Sequence, residues 1–204
     1  MAHGKLHIGW SRGDITPPRK TLVQGQFHAR IWEEVVSPLT ATASALEVVG
    51  EDGISEQAIF LSCDLACDSF KSDLLDELTG RCPGLDLEKI TVNATHTHNA
   101  PSMRRGWYEE PENDPEFMNP DEYRAWLVAR LADIVANAWN DRRPGGISRG
   151  FGYGVVGRCR RATYADGSSQ MYGQTAREDF AGLESCDDHA VNMLFTRDTD
   201  GELT

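Results

Sequence analysis

The chain has 204 residues, 40% hydrophobic and 25% charged, enough for one ordinary globular core or for part of a larger one. A net charge of −12 argues against a basic face for phosphates, hence against nucleic acid as a partner, and disfavours unaided docking on anionic membranes. No apolar run approaches the roughly 20 residues of a transmembrane segment, and the first ten residues lack a secretory signal's apolar stretch, so the chain as it stands reads as cytoplasmic or else as a mature fragment.

Leu6–Trp10 reads as a short strand, followed at Gly13-Asp14-Ile15-Thr16-Pro17-Pro18 by a turn in which Asp14 supplies local hydrogen bonds. Thr40–Val49 reads as a second strand, and Glu51-Asp52-Gly53 turns the chain into a third, residues 57–63. That third run is nearly continuous in apolar residues, which predicts cover on both faces. Asp68 or Ser69 can cap a helix to about Thr79, with Phe70, Leu74, Leu75 and Leu78 on one stripe and Gly80 as its stop. Residues 89–94 read as the next strand, so the third strand, the helix and this strand predict a right-handed βαβ unit. The fold class expected is α/β, a mixed sheet with flanking helices. From Glu109 to Glu122 seven acids and three prolines predict a solvated loop. Asn119-Pro120 then opens a long helix to about Trp139. Ile147–Val156, alternating with glycines, and Ala190–Arg197 read as strands. Asp198-Thr199-Asp200-Gly201 is a hairpin-type turn followed by only three residues. This predicts that residues 1–204 form the front part of a larger catalytic domain and fold poorly alone, with an unpaired edge.

The five cysteines make no CxxC pair and read as buried free thiols. The chemistry concentrates in Thr95-His96-Thr97-His98-Asn99-Ala100-Pro101, at the end of an apolar run. Side chains two apart on a strand share a face, so His96 and His98 are expected to project together if the extended backbone continues. Two imidazoles at a strand end suit a divalent transition metal, or one ligand plus one proton-transfer group. The Thr95 and Thr97 hydroxyls are candidates for orienting the rings. In open α/β sheets ligands sit beyond the carboxyl ends of the strands, where Asp64 and His96 both fall. Asp64 reads equally as a helix cap, and His28 and His189 read as surface or loop histidines. Arg158, Arg160 and Arg161 form a small basic cluster that could take an anionic group or pair with the acidic loop.

Several blocks in order resemble the neutral/alkaline (non-lysosomal) ceramidases. Gly9-Trp10-Ser11-Arg12-Gly13-Asp14-Ile15-Thr16-Pro17-Pro18 matches that family's opening turn, and residues 37–47 match its second strand. Ser62-Cys63-Asp64 matches a buried strand ending Ser-x-Asp, and residues 93–101 match the signature SATHTHSGP. The likeness covers about residues 6–105 well and the rest loosely. It implies the amino-terminal catalytic part of a zinc-dependent hydrolase of C–N amide bonds, acting on a small-molecule or lipid amide in sphingolipid metabolism. It further implies His96 as a Zn²⁺ ligand, His98 as a substrate contact near the metal, and Arg158 as the arginine of a later Asn-Arg-Ser motif. The family's remaining ligands are expected beyond Thr204, so this piece alone is expected to be inactive. Asn99-Ala100 stands where the family has Ser-Gly, so ceramide as substrate does not follow from the match. The alternatives are a non-catalytic binder on the same scaffold and a hydrolase of a different, anionic substrate.

Overall fold

The computed structural model describes residues 4–51, 53–67, 69–111 and 114–204. They form two compact units, one running up to Gly146 and including Asp198–Glu202, the other made of Ile147–Arg197 and Leu203–Thr204. In the first, β1 (Lys5–Asp14) pairs antiparallel with β2 (Thr40–Val49) over its whole length, Lys5 opposite Val49 and Asp14 opposite Thr40. β2 pairs antiparallel with β3 (Ser55–Cys63). Helix α1 (Lys71–Leu78) and a 3₁₀ turn (Leu87–Lys89) then lead into β4 (Ile90–Ala94), which lies parallel to β3. Helix α2 (Pro120–Asn140) and the short β5 (Arg143–Pro144) complete a sheet in the order β4-β3-β2-β1-β5. The expected mixed α/β architecture is the one observed, with β3–α1–β4 as the crossover.

Residue size explains how closely α2 lies on this sheet. The register sets Gly9 and Gly13 of β1 beside Ala45 and Ala41 of β2, a smooth strip of small residues. A Cβ at Gly13 would stand 2.6 Å from Ile134 Cδ1, and one at Gly9 would run into the Ala138 carbonyl oxygen. Onto this strip α2 buries Tyr123, Leu127, Leu131, Val135 and Ala138 at helical spacing. Asn119 and Glu122 close a reciprocal capping box at its start, with Pro120 in the first turn. The Tyr123 hydroxyl donates to the Ile15 carbonyl at 2.9 Å, tying the helix to the 14–18 turn, where Asp14 accepts from the Thr16 amide as expected.

Three expectations are corrected here. β3 is covered on one face only: Ile59, Leu61 and Cys63 are buried, whereas Phe60 between them is 48% exposed. The reason is that both helices of this unit join the core cluster built on Ile59, Leu61 and Cys63, leaving the alternate side chains on the open face. The residue at the start of α1 is Phe70, with no side-chain cap, and the Ser69 carbonyl instead accepts from Arg124. Asp68, like Asp52 of the turn after β2, lies outside the described residues. The cysteines are all free but not all buried: Cys67 and Cys159 are half-buried and Cys186 is exposed. Burial, with the Asp64 carboxylate second, pushes the Cys63 thiol up to about 12, so that sulfur serves packing.

In the second unit β6 (Gly146–Tyr153) pairs with β10 (Ala190–Arg197). Its glycine alternation makes room for the partner strand, since a Cβ at Gly150 would stand 2.8 Å from Phe195 Cε2. A separate three-stranded sheet, β8-β7-β9, comprises β7 (Arg161–Tyr164), β8 (Ser169–Met171) and β9 (Phe180–Leu183). The hairpin-type turn at 198–201 is present, the Asp198 amide donating to the Glu202 carbonyl, and its returning arm is a single bridge from Arg197 to Leu203. Among the described residues no helix is long and apolar enough to cross a membrane.

Candidate active site

The parallel crossover brings the carboxyl ends of β3 and β4 side by side. The Thr95 amide donates to the Cys63 carbonyl at 2.9 Å, the last bond before the chain leaves the sheet. Asp64 stands at this junction: its Oδ2 accepts from both the amide and the hydroxyl of Thr40 at 2.9 Å, and its Oδ1 faces the Thr95 hydroxyl at 3.4 Å. Asp64 therefore joins three strand ends rather than capping a helix. Asp64→Ala strands the Thr40 amide and hydroxyl and is expected to remove about 1–3 kcal/mol of stability. A lowered urea midpoint at unchanged slope, measured on the whole protein, checks this.

Beyond Ala94 the backbone does not stay extended. His96 has φ 59°, in the left-handed region, so the two histidines do not share a face by strand alternation. Their rings converge nonetheless, with centroids 5.0 Å apart, planes at 75° and the two Nε2 atoms 3.4 Å apart. The left-handed turn at His96 brings about what alternation was expected to do. His96 Nδ1 lies 2.7 Å from the Ala66 carbonyl oxygen, which only a protonated Nδ1 can satisfy. That contact leaves the lone pair on Nε2, directed towards His98. Both histidines are exposed. The threonine hydroxyls do not orient the rings, a correction to the expectation. Thr95 faces Asp64, and Thr97 Oγ1 accepts from the Asn99 amide at 3.3 Å.

His98 is held from behind by residues the sequence reading passed over. Arg30 donates to the His98 carbonyl at 2.6 Å, to the Gln24 carbonyl at 3.3 Å and to Asn99 Oδ1 at 3.3 Å. Gly25, at φ 113°, passes so close that a Cβ there would stand 2.5 Å from the Cβ of His98. The Tyr108 hydroxyl accepts from the Gly25 amide and donates to the Gln26 carbonyl, fixing this approach. The one local hint in the sequence was the glycine in Gln24-Gly25-Gln26. His28, read from the sequence as a surface histidine, is exposed. Against the far side of the histidine loop opens a cavity of about 510 Å³, lined by Val23, Trp32, Val35, Leu39, Thr97 and Asn99 among others, with neither histidine in its wall.

The chemistry of the donor pair fits a metal ion. His96 Nε2 keeps a free lone pair on an exposed ring, as a zinc ligand must, and His98 Nε2, 3.4 Å away, stands within reach of a water or substrate atom beside such an ion. The same spacing suits a hydrogen bond from one ring to the other. Among the described residues no group of three or more His, Cys, Asp or Glu side chains comes together, so this chain offers the histidine pair and no complete ligand set.

In the second unit the basic cluster is divided. Arg161 pairs with Glu184, Arg160 lies over the Tyr172 ring and donates to its hydroxyl, and the exposed Arg158 donates to the Gly157 carbonyl at 2.8 Å. Asp188 accepts from the Ala190 amide as a turn residue, and His189 Nδ1 is buried without a hydrogen-bond partner among the described residues.

No protein-family profile matches this chain, and no curated protein sequence matches it. Among solved structures, the neutral ceramidase from Pseudomonas aeruginosa superposes with a TM-score of 0.69 at 19% identity, over 98% of this chain and 31% of that one. A ceramidase complexed with C2 superposes with a TM-score of 0.65, also at 19% identity, over 98% of this chain and 30% of that one. The chain therefore spans less than a third of either protein's length, and within that span it has a ceramidase-like fold.

Proposed function

We propose that this chain carries part of the active site of a zinc-dependent hydrolase that cleaves the C–N bond of an N-acyl amide. The observation that carries the reading is the approach of His96 and His98 to 3.4 Å between Nε2 atoms, with His96 Nδ1 tied to the Ala66 carbonyl. The likeness in fold to ceramidases and the ordered sequence blocks support the same reading.

His96 would hold the metal through Nε2, its tautomer selected by Ala66. Bound zinc supplies a water of lowered pKa and a Lewis acid for the amide carbonyl. His98 Nε2 takes a proton from the attacking water, or binds the polar head of the substrate beside it. Arg30 and Gly25 hold the His98 backbone, so the ring meets the substrate in one orientation. Arg158 enters this reading from the resemblance alone, as the residue that would supply positive charge to the substrate's carbonyl oxygen. The substrate class is an amide, small or lipid. Ceramide itself is one member of that class.

The test measures bound zinc and turnover of short- and long-chain N-acyl amides by the whole protein, before and after chelation. Chelation should abolish turnover and added zinc should restore it. Turnover that survives removal of the metal, or a metal-loaded protein that cleaves no amide, overturns the reading.

A further inference from the structure

The stretch between β1 and β2 leaves space open behind the histidine loop. Its near end is anchored by a bridge between Leu22 and Ile31 and by the Val23 amide, which donates to the Arg30 carbonyl at 2.8 Å. Its far end is anchored where the Leu39 amide donates to Thr16 Oγ1 at 2.9 Å. Between these anchors, residues 33–38 make no backbone hydrogen bond among the described residues. They form an arch, and the cavity of about 510 Å³ lies between that arch and residues 97–101. Two kinds of group on the arch line it. Val35 and Val36 stand in the wall while 48% and 89% exposed, apolar surface that the fold leaves wet. Glu33 and Glu34 line it as well and form no ion pair among the described residues. Arg30, the cation of the same wall, is already partnered: its donors go to the Gln24 and His98 carbonyls and to Asn99 Oδ1.

We propose that this cavity binds a small organic cation, an alkylammonium whose apolar body covers Trp32, Val35 and Leu39 and whose charged group meets Glu33 and Glu34. The size fits, since 510 Å³ falls within the roughly 300–1,000 Å³ of small-molecule sites. The wall has the composition of such a site, apolar for the most part with a few convergent polar groups. The sign of the ligand follows from the charges left over. Two unpaired carboxylates attract an ammonium group and repel a carboxylate, and an uncharged ligand gains the apolar contact alone. Arg30 and Asn99 belong both to this wall and to the contacts that hold the His98 backbone, so the occupant touches the groups that set that ring.

The experiment titrates the whole protein, freed of metal, with hexylammonium, methylammonium, hexanol and hexanoate in a calorimeter. Hexylammonium should saturate one site, binding about fivefold or more tighter than hexanol, the contribution of ion pairs near a protein surface. Hexanoate should bind more weakly than either. Methylammonium should bind at least about tenfold more weakly than hexylammonium, because it leaves the apolar wall uncovered. Glu33→Gln combined with Glu34→Gln should bring hexylammonium down to the affinity of hexanol. Both residues are exposed, so the fold should stand, which a melting curve checks. His96→Ala and His98→Ala should leave the affinity unchanged, since neither ring lies in the wall. Equal affinity for ammonium and alcohol, tighter binding of hexanoate, loss of binding with the histidines, or no saturable binding would each overturn the proposal. None of these outcomes bears on amide cleavage, so the site and the hydrolase reading can fail separately.

Discussion

His96→Ala is expected to release the metal while leaving the fold in place. Losing a ligand should weaken zinc affinity by more than the 10–100-fold typical of an outer partner, and amide hydrolysis should fall with it. Because His96 is exposed and its ring meets the Ala66 carbonyl and the equally exposed His98 ring, the thermal midpoint should barely move. His96→Gly sharpens the test. Glycine takes the left-handed φ of 59° without steric cost, so this variant should be at least as stable as the wild type and equally unable to retain zinc. His98→Ala should keep the zinc and lose turnover, separating the ligand from the group that meets the substrate. Zinc content by atomic absorption, beside melting curves of the three variants, checks the set. Undiminished zinc in both His96 variants would refute the assignment.

Gly9→Ala should be the most destabilising single methyl group in the first unit. Its Cβ would run into the Ala138 carbonyl oxygen and stand 3.1 Å from Arg142 Cγ. The carbonyl belongs to α2, which cannot yield locally, because Leu131, Ile134, Val135 and Ala138 seat the helix on the sheet. The helix has to shift as a body, so a loss at or above the top of the usual overpacking range of about 1–3 kcal/mol is expected. Gly146→Ala is the control: a Cβ there meets nothing within 4 Å, and a change within about 0.5 kcal/mol is expected. Denaturant midpoints of the two variants against wild type decide it, and a Gly9→Ala protein as stable as Gly146→Ala would disprove this account of the helix–sheet seat.

Where the signal was local, the sequence reading reached far. β2 and β10 have the limits their apolar pattern predicts, and α2 begins at the cap and proline that announce it. β7, β8 and β9 were missed, since three or four residues of mixed polarity carry too little alternation to stand out. The candidate site divides along the same line. The spacing of His96 and His98 pointed to a pair of rings, but the reason given for it, an extended backbone, is not the one that brings them together. Ala66, Arg30 and Tyr108 had no sequence signature as parts of that site, and Gly25 only a local one, because each reaches it from a distant stretch of chain.

Backbone preference, capping and apolar period act over a few residues. They make the α/β class, the crossover between β3 and β4 and the long helix readable along the chain. Contacts between segments far apart act only after collapse. They decided which face of β3 is covered, which carbonyl selects the His96 tautomer and which partners divide the three arginines. Those outcomes depend on where distant groups stand in space, which no short stretch of sequence encodes.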